Sequence, residues 1–231
     1  MLYAFGEILI LIIGILFALK VNNWNLKQHN KAIEISILKS MKTELESDLE
    51  YISVDVKIHG DGIAASQIIL DHLEKNLPYN DSLAVHFLNT TITTILIYKH
   101  GAYETLQSLG VSLISNEILR SQIIDLYAQY EVIIRVERNN TDKMTYAENN
   151  IFNSRFDQLY KYEQNLPVET SYGEMIPLDY EGLKTDDEYK YFLKTYRNIN
   201  IMNLEWFYSP TKDLITLLIL GIEEELIELE K

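Results

Sequence analysis

Along its first 25 positions the chain reads MLYAFGEILILIIGILFALKVNNWN, and from Leu2 to Val21 only Glu7 and Lys20 are ionisable. About 20 residues at 1.5 Å rise span about 30 Å of hydrocarbon. Ile8 to Phe17 is apolar on every face, unlike the one-sided stripe of a soluble core helix. A cleavable signal needs a basic start and a small-residue cleavage site, whereas Phe17-Ala18-Leu19-Lys20 follows the run. The expectation is an uncleaved transmembrane anchor over residues 1–23. Trp24, framed by Asn22, Asn23 and Asn25, is an amphipathic ring suited to headgroup depth, and Lys20 can snorkel beside it.

Beyond the anchor the pattern becomes helical with one apolar face. Ile35, Leu38, Met41, Leu45, Leu49 and Ile52 recur at three and four, with acidic residues between them. This predicts a juxtamembrane stalk helix over 24–60, continuous with the anchor and ending at His59-Gly60-Asp61-Gly62. Residues 61–231 are expected to form a helical bundle domain. Its predicted helices cover Ile63 to Asn76, Ser82 to Tyr98 with Asp81 as N-cap, and a stretch starting after Ser115 or Asn116 and continuing past Asn139 to Leu159 as one long helix or a kinked pair. The β-branched run Ile92-Thr93-Thr94-Ile95 also suits a strand, but no partner strand is evident. Pro167, Gly173, Pro177 and Gly182 mark the main loop, 163–184. Thr185-x-x-Glu188 reads as a capping box for the next helix. Ser209-Pro210 reads either as the start of a final helix or as a kinked continuation. The fold class is all-α: a transmembrane helix continuing into a long-helix bundle.

Charge and composition narrow the function. A net charge of −14 disfavours phosphate backbones, since nucleic-acid affinity comes largely from Lys and Arg. There is no cysteine, which removes disulfides and thiolate chemistry. None of the five histidines forms a helical metal-ligand pair such as H-E-x-x-H. Nucleophile-elbow and phosphate-loop motifs are absent from the sequence. No cofactor, metal or small molecule is indicated, and an enzyme is not expected. The acidic runs Asp186-Asp187-Glu188 and Glu223-Glu224-Glu225 are expected on solvated faces. Tyr160, Tyr162, Tyr172, Tyr180, Tyr189, Tyr191, Tyr196 and Tyr208 crowd the last third, a composition that suits a protein-contact surface or ordinary helix packing.

Within the anchor, Ala4, Glu7, Leu11, Gly14, Ala18 and Val21 step by three and four, so Glu7 shares a stripe with Gly14 and Ala18. Small residues at i and i+4 let transmembrane helices approach closely, and a polar group on the seam can bond across it. Glu7 is also shallow enough for its carboxylate to reach headgroups.

The stretches Tyr3-Ala4-Phe5-Gly6-Glu7-Ile8, Ile13-Gly14-Ile15-Leu16-Phe17-Ala18-Leu19 and Asn22-Asn23-Trp24-Asn25 resemble the opening of an uncharacterised Bacteroidota family of single-pass membrane-anchored helical proteins. Ala102-Tyr103-Glu104-Thr105-Leu106-Gln107-Ser108-Leu109-Gly110, followed by Leu113-Ile114-Ser115-Asn116-Glu117-Ile118-Leu119-Arg120, is similar to a second block of that family. The resemblance implies an anchor and a helical body, and no activity. It also implies a basic stretch before the anchor, so the true start is expected upstream. Such a leader would favour a periplasmic body. Lys20, Lys27, Lys31, Lys39 and Lys42, counted alone, favour a cytoplasmic one.

These readings predict a single-pass inner-membrane protein with its body in the periplasm and a non-catalytic protein-interaction or assembly role. The lipid bilayer is one partner, and a second copy or another membrane protein is the expected partner of the anchor. A membrane-tethered ligand-sensing domain is the alternative.

Overall fold

The computed structural model describes residues 2–157 and 173–231, with side chains described from Ile10 onward. The fold is an all-α bundle. Its elements in order are α1 (Leu2–Glu74), α2 (Leu83–Asn89), α3 (Gly101–Leu109), a 3-10 turn (Val111–Leu113), α4 (Glu117–Asn150), a 3-10 turn (Phe152–Ser154), α5 (Tyr180–Leu183), α6 (Asp187–Asn203), a π-helical turn (Leu204–Tyr208) and α7 (Ser209–Leu229). The chain divides into two compact units: residues 1–46, 99–123 and 217–231, and residues 47–98 and 124–216.

In the first unit, every described side chain of α1 from Ile10 to Asn30 is exposed, and α1 is the one helix among the described residues long and apolar enough to cross a membrane. Further along, Leu38, Met41 and Leu45 are fully buried, so the three-and-four spacing read from the sequence does mark the core face. The Tyr103–Arg120 region builds a corner beside α1. Gly110 ends α3 at φ 100°, a conformation that favours glycine. The Glu34 carboxylate accepts from the Ser115 amide at 2.6 Å and its hydroxyl at 2.9 Å. Asn116 caps α4, its Oδ1 accepting from the Ile118 and Leu119 amides at 3.1 Å each. Lys42 to Glu223 at 2.7 Å and Asn116 to Glu225 at 2.7 Å tie the end of α7 to this corner, so two of that acidic run have partners.

In the second unit the sequence expectations need several corrections. The helix predicted to stop at His59-Gly60-Asp61-Gly62 runs on to Glu74. Gly62 is there for proximity: a Cβ would stand 3.1 Å from the Tyr196 hydroxyl and 3.3 Å from its ring. The turn after Glu74 closes at Asn76, whose φ of 54° is left-handed, with the Leu77 amide donating back to the His72 carbonyl at 3.0 Å.

The helix predicted over Ser82–Tyr98 spans only Leu83–Asn89. Asn80, not Asp81, makes the turn before it, accepting from the Ser82 amide at 3.1 Å. Thr90 and Thr91 donate their hydroxyls to the Phe87 and Leu88 carbonyls at 2.7 and 2.8 Å. The chain then runs to His100 without helix or strand. Side chains satisfy that stretch where a partner strand would have: the Leu96 amide donates to Glu137 Oε2 at 2.7 Å, and the Ile92 carbonyl accepts from the Tyr196 hydroxyl at 2.5 Å.

α4 passes Asn139 unbroken and ends at Asn150. Of the predicted loop, 163–172 lies outside the described residues, as do Leu159, Tyr160, Tyr162 and Tyr172. On either side of that gap, the Asp157 amide donates to the Ile176 carbonyl at 3.1 Å and the Leu178 amide to the Arg155 carbonyl at 2.9 Å. The cap of α6 is Asp186, not Thr185: its Oδ1 accepts from the Tyr189 amide at 2.9 Å. Of the two readings of Ser209-Pro210, the continuation holds: α7 begins at Ser209 without a break from the turn before it. The π turn carries α6 directly into α7, relieving the position where the proline lacks an N–H and crowds the preceding turn.

The core of this unit is aromatic. Phe87, Phe152, Phe156, Tyr180, Tyr189 and Tyr196 are buried with Ile69, Leu70, Leu73 and Leu193. Among the described residues of the tyrosine crowd, Tyr180, Tyr189, Tyr196 and Tyr208 are buried, while Tyr191 is 72% exposed.

Candidate functional site

The anchor residues singled out from sequence lie on α1. Gly14, Ala18, Lys20 and Trp24 are all exposed, and nothing stands within 4 Å of where a Cβ at Gly14 would be. Glu7 is in the helix, with its side chain outside the described residues.

The second unit holds a site that sequence reasoning missed. A cavity of about 200 Å³ is bounded by α1 at His59, the extended Ile92–Thr94 segment, α4 from Glu137 to Ala147, and α6 from Tyr191 to Asn203. Met144, Ala147, Ile151, Phe192 and Ile199 make most of its wall apolar. Lys143, Tyr146 and Tyr191 line it and are exposed, so they mark its mouth, while His59, Thr94, Glu137, Asn200 and Asn203 are buried.

The buried polar residues form a chain. His59 Nδ1 lies 2.6 Å from Asn200 Oδ1, and Asn200 Nδ2 donates to the Tyr196 carbonyl at 2.9 Å. The amide oxygen is therefore the acceptor, and Nδ1 carries the hydrogen. On the other ring nitrogen, Nε2 is 3.2 Å from the Thr94 hydroxyl, which is 2.9 Å from the Tyr208 hydroxyl. Tyr208 in turn donates to Glu137 Oε1. With a neutral imidazole and an ionised carboxylate, these four contacts share three hydrogens, from His59, Thr94 and Tyr208. One more proton completes the chain.

Burial opposes placing that proton on the ring. Desolvation lowers the His59 pKa, against smaller raising effects from the Asn200 bond and the Glu137 charge. Nearby Asp55 is pushed up to about 7, first by burial and then by the negative charge of Glu137. The Tyr208 hydroxyl is raised well above its usual range by burial and by Glu137. The floor of the cavity is thus a buried polar cluster of His59, Thr94, Glu137, Asn200 and Asn203.

Two atoms at this cavity are left without a partner. Asn140 Nδ2 and Asn203 Oδ1 are both buried and have no hydrogen-bond partner among the described residues. Their residues line the same space. Asn203 is the last residue of α6, immediately before the π turn that aims Tyr208 inward. Unpaired buried polar atoms are costly and rare, and π turns recur at functional sites.

A family model described as "Family of unknown function (DUF6090)" matches residues 7–162. The match takes in the anchor, the Ser115–Asn116 corner and the α1 and α4 walls of the cavity, while the α6 wall lies beyond it. Comparison with curated proteins and with solved structures gives no match.

Proposed function

The chain belongs to that family of unknown function, and we propose that it is a membrane-anchored, non-catalytic protein whose second unit binds a small ligand in the cavity between α1, α4 and α6. The observation that carries this is an apolar cavity of about 200 Å³ with a few convergent polar groups at its base. That combination is the usual form of a small-molecule site. Apolar cavities of roughly 150 Å³ already take up benzene, so the space suits a small ring or short alkyl body. α1 supplies both the apolar anchor and the His59 wall of the cavity, which tethers the binding unit to the bilayer.

An interaction role through the crowded tyrosines is a weaker reading, because Tyr180, Tyr189, Tyr196 and Tyr208 are turned into the core. Contact through the anchor keeps support from the open space at Gly14. The body is assigned to the periplasmic side of an inner membrane on the strength of the family-like opening.

The test uses the full chain in lipid nanodiscs with isotope-labelled methionine methyls. Met144 lines the cavity, so its methyl resonance should shift saturably with toluene. Thr195→Trp, placed on the cavity wall, should abolish the shift. A Met144 signal that never responds to toluene, or responds equally in Thr195→Trp, rejects the binding site.

A further inference from the structure

We infer that the ligand's inward end is an uncharged group that both donates and accepts a hydrogen bond, such as a carboxamide or an alcohol, on a small apolar body. This rests on the cavity being a binding site. Asn140 Nδ2 is an open donor and Asn203 Oδ1 an open acceptor, both buried and on residues of one cavity. Asn203 is 3% exposed, so water in bulk does not reach it freely. A carboxamide presents the complementary pair, its carbonyl to Asn140 and its N–H to Asn203; an alcohol does the same with one oxygen.

Charged head groups fit less well. An anion directed inward would meet the buried Glu137 carboxylate, which lines the cavity. The cavity's ammonium, Lys143, is at the mouth. A cation would face the Asn140 donor, and both Glu137 oxygens already accept, one from Tyr208 and one from the Leu96 amide. A purely apolar guest would fill the walls made by Met144, Ala147 and Ile199 but leave both asparagine atoms unmet.

A matched probe set separates these cases: toluene, benzamide, benzoate and benzylammonium, each titrated into the full chain in nanodiscs and read on the Met144 methyl. The expected result is benzamide at least about tenfold tighter than the other three, a margin of about 1.4 kcal/mol. Asn140→Leu and Asn203→Leu should each remove that margin. Asn140 is only half-buried, so Asn140→Leu remains informative if Asn203→Leu fails to fold, which circular dichroism would reveal. Equal affinity for toluene and benzamide overturns the head-group assignment while the cavity stands as an apolar site. Tightest binding of benzoate or benzylammonium overturns it in favour of a charged guest. Failure of all four probes, toluene included, overturns the binding site itself.

Discussion

His59 and Asn200 are 141 positions apart in the chain, yet His59 Nδ1 is 2.6 Å from Asn200 Oδ1 in a buried setting. The bond joins α1 to α6 and fixes which ring nitrogen carries the hydrogen. Asn200→Leu would leave that N–H unmet at a cost of about 1–3 kcal/mol, measurable by chemical denaturation followed by circular dichroism. Because the folded pKa of His59 is depressed, its contribution to stability is present above the unfolded value near 6.5 and declines as pH falls below it. Asn200→Leu removes a contact that raised the pKa, so the acid loss should extend to lower pH. An unchanged denaturation midpoint at pH 7 would show that the bond does not hold these helices together.

Asp55 behaves in the opposite sense. Its folded pKa is raised from 3.8 to about 7, so the folded chain holds a proton that the unfolded chain has released. Its stabilising contribution is full below pH 3.8, falls as pH rises through this window and is gone above about pH 7. Asp55→Asn keeps the neutral shape and abolishes the penalty of a buried charge. The variant should be more stable than the native chain at pH 8 and differ little at pH 4, by thermal melts at the two values. A melt at pH 8 that is unchanged or lower would place the carboxylate in a better-solvated site than its burial implies.

How much of this was legible in the sequence depends on distance along the chain. Leu38, Met41, Leu45 and Ile52 announce a helix face because helical neighbours recur within four positions. The apolar, exposed start of α1 is legible for the same local reason, and the α4 cap is narrowed to Ser115 or Asn116, of which the structure takes Asn116. Thr94, by contrast, reads as one more β-branched residue, and nothing nearby says that it will bridge His59 and Tyr208 from 35 and 114 positions away. Gly60 and Gly62 look like a stop signal because glycine usually is one, and only the Tyr196 ring packed against Gly62 explains its place inside a helix. Asn140 and Asn203 are ordinary helical polar residues by pattern. Their significance is a shared cavity, which no periodicity encodes.

Arg155 gathers two elements of the second unit. Its guanidinium donates to both oxygens of Asp186, at 2.6 and 3.2 Å, to Glu188 at 2.6 Å and to the Ile151 carbonyl at 2.9 Å. Asp186 simultaneously caps α6 through the Tyr189 amide. The Arg155 bond, the largest influence, holds the Asp186 carboxyl below its usual pKa, so this contribution is present above pH 3.8 and lost as pH falls below it. Asp186→Asn preserves the cap and removes the charge, whereas Asp186→Ala removes both. The alanine variant should lose about 1 kcal/mol more than the asparagine variant, a typical capping contribution. Equal losses in urea denaturation would assign all of the effect to the ion pair.

The exposed run of α1 makes a prediction about the bilayer. Ile12 and Leu16 are 50% and 60% exposed, within the stretch from Ile10 that is apolar enough to cross a membrane. Lysine near the middle of a span costs about 2.5–3.5 kcal/mol per residue by insertion scales. The native chain should stay with membranes through alkaline carbonate extraction, and Ile12→Lys with Leu16→Lys should release it. Release of the native chain under the same treatment would rule out a span.

Gly14 offers the cleanest test of whether anchors pair. Nothing among the described residues stands within 4 Å of a Cβ at this position, so Gly14→Ile meets no clash with them. Isoleucine also has a higher helix propensity than glycine, so the helix itself is not weakened. Any change in assembly must then come from another molecule. If small residues at Gly14 and Ala18 let two anchors approach and Glu7 bonds across the seam, Gly14→Ile and Glu7→Ala should each reduce the oligomer, with a larger effect from the bulky substitution that separates the backbones. Analytical ultracentrifugation in detergent reads the size directly. Equal sizes for the native chain and both variants would leave Glu7 as a shallow group reaching the headgroups, and the stripe as an incidental spacing of small residues.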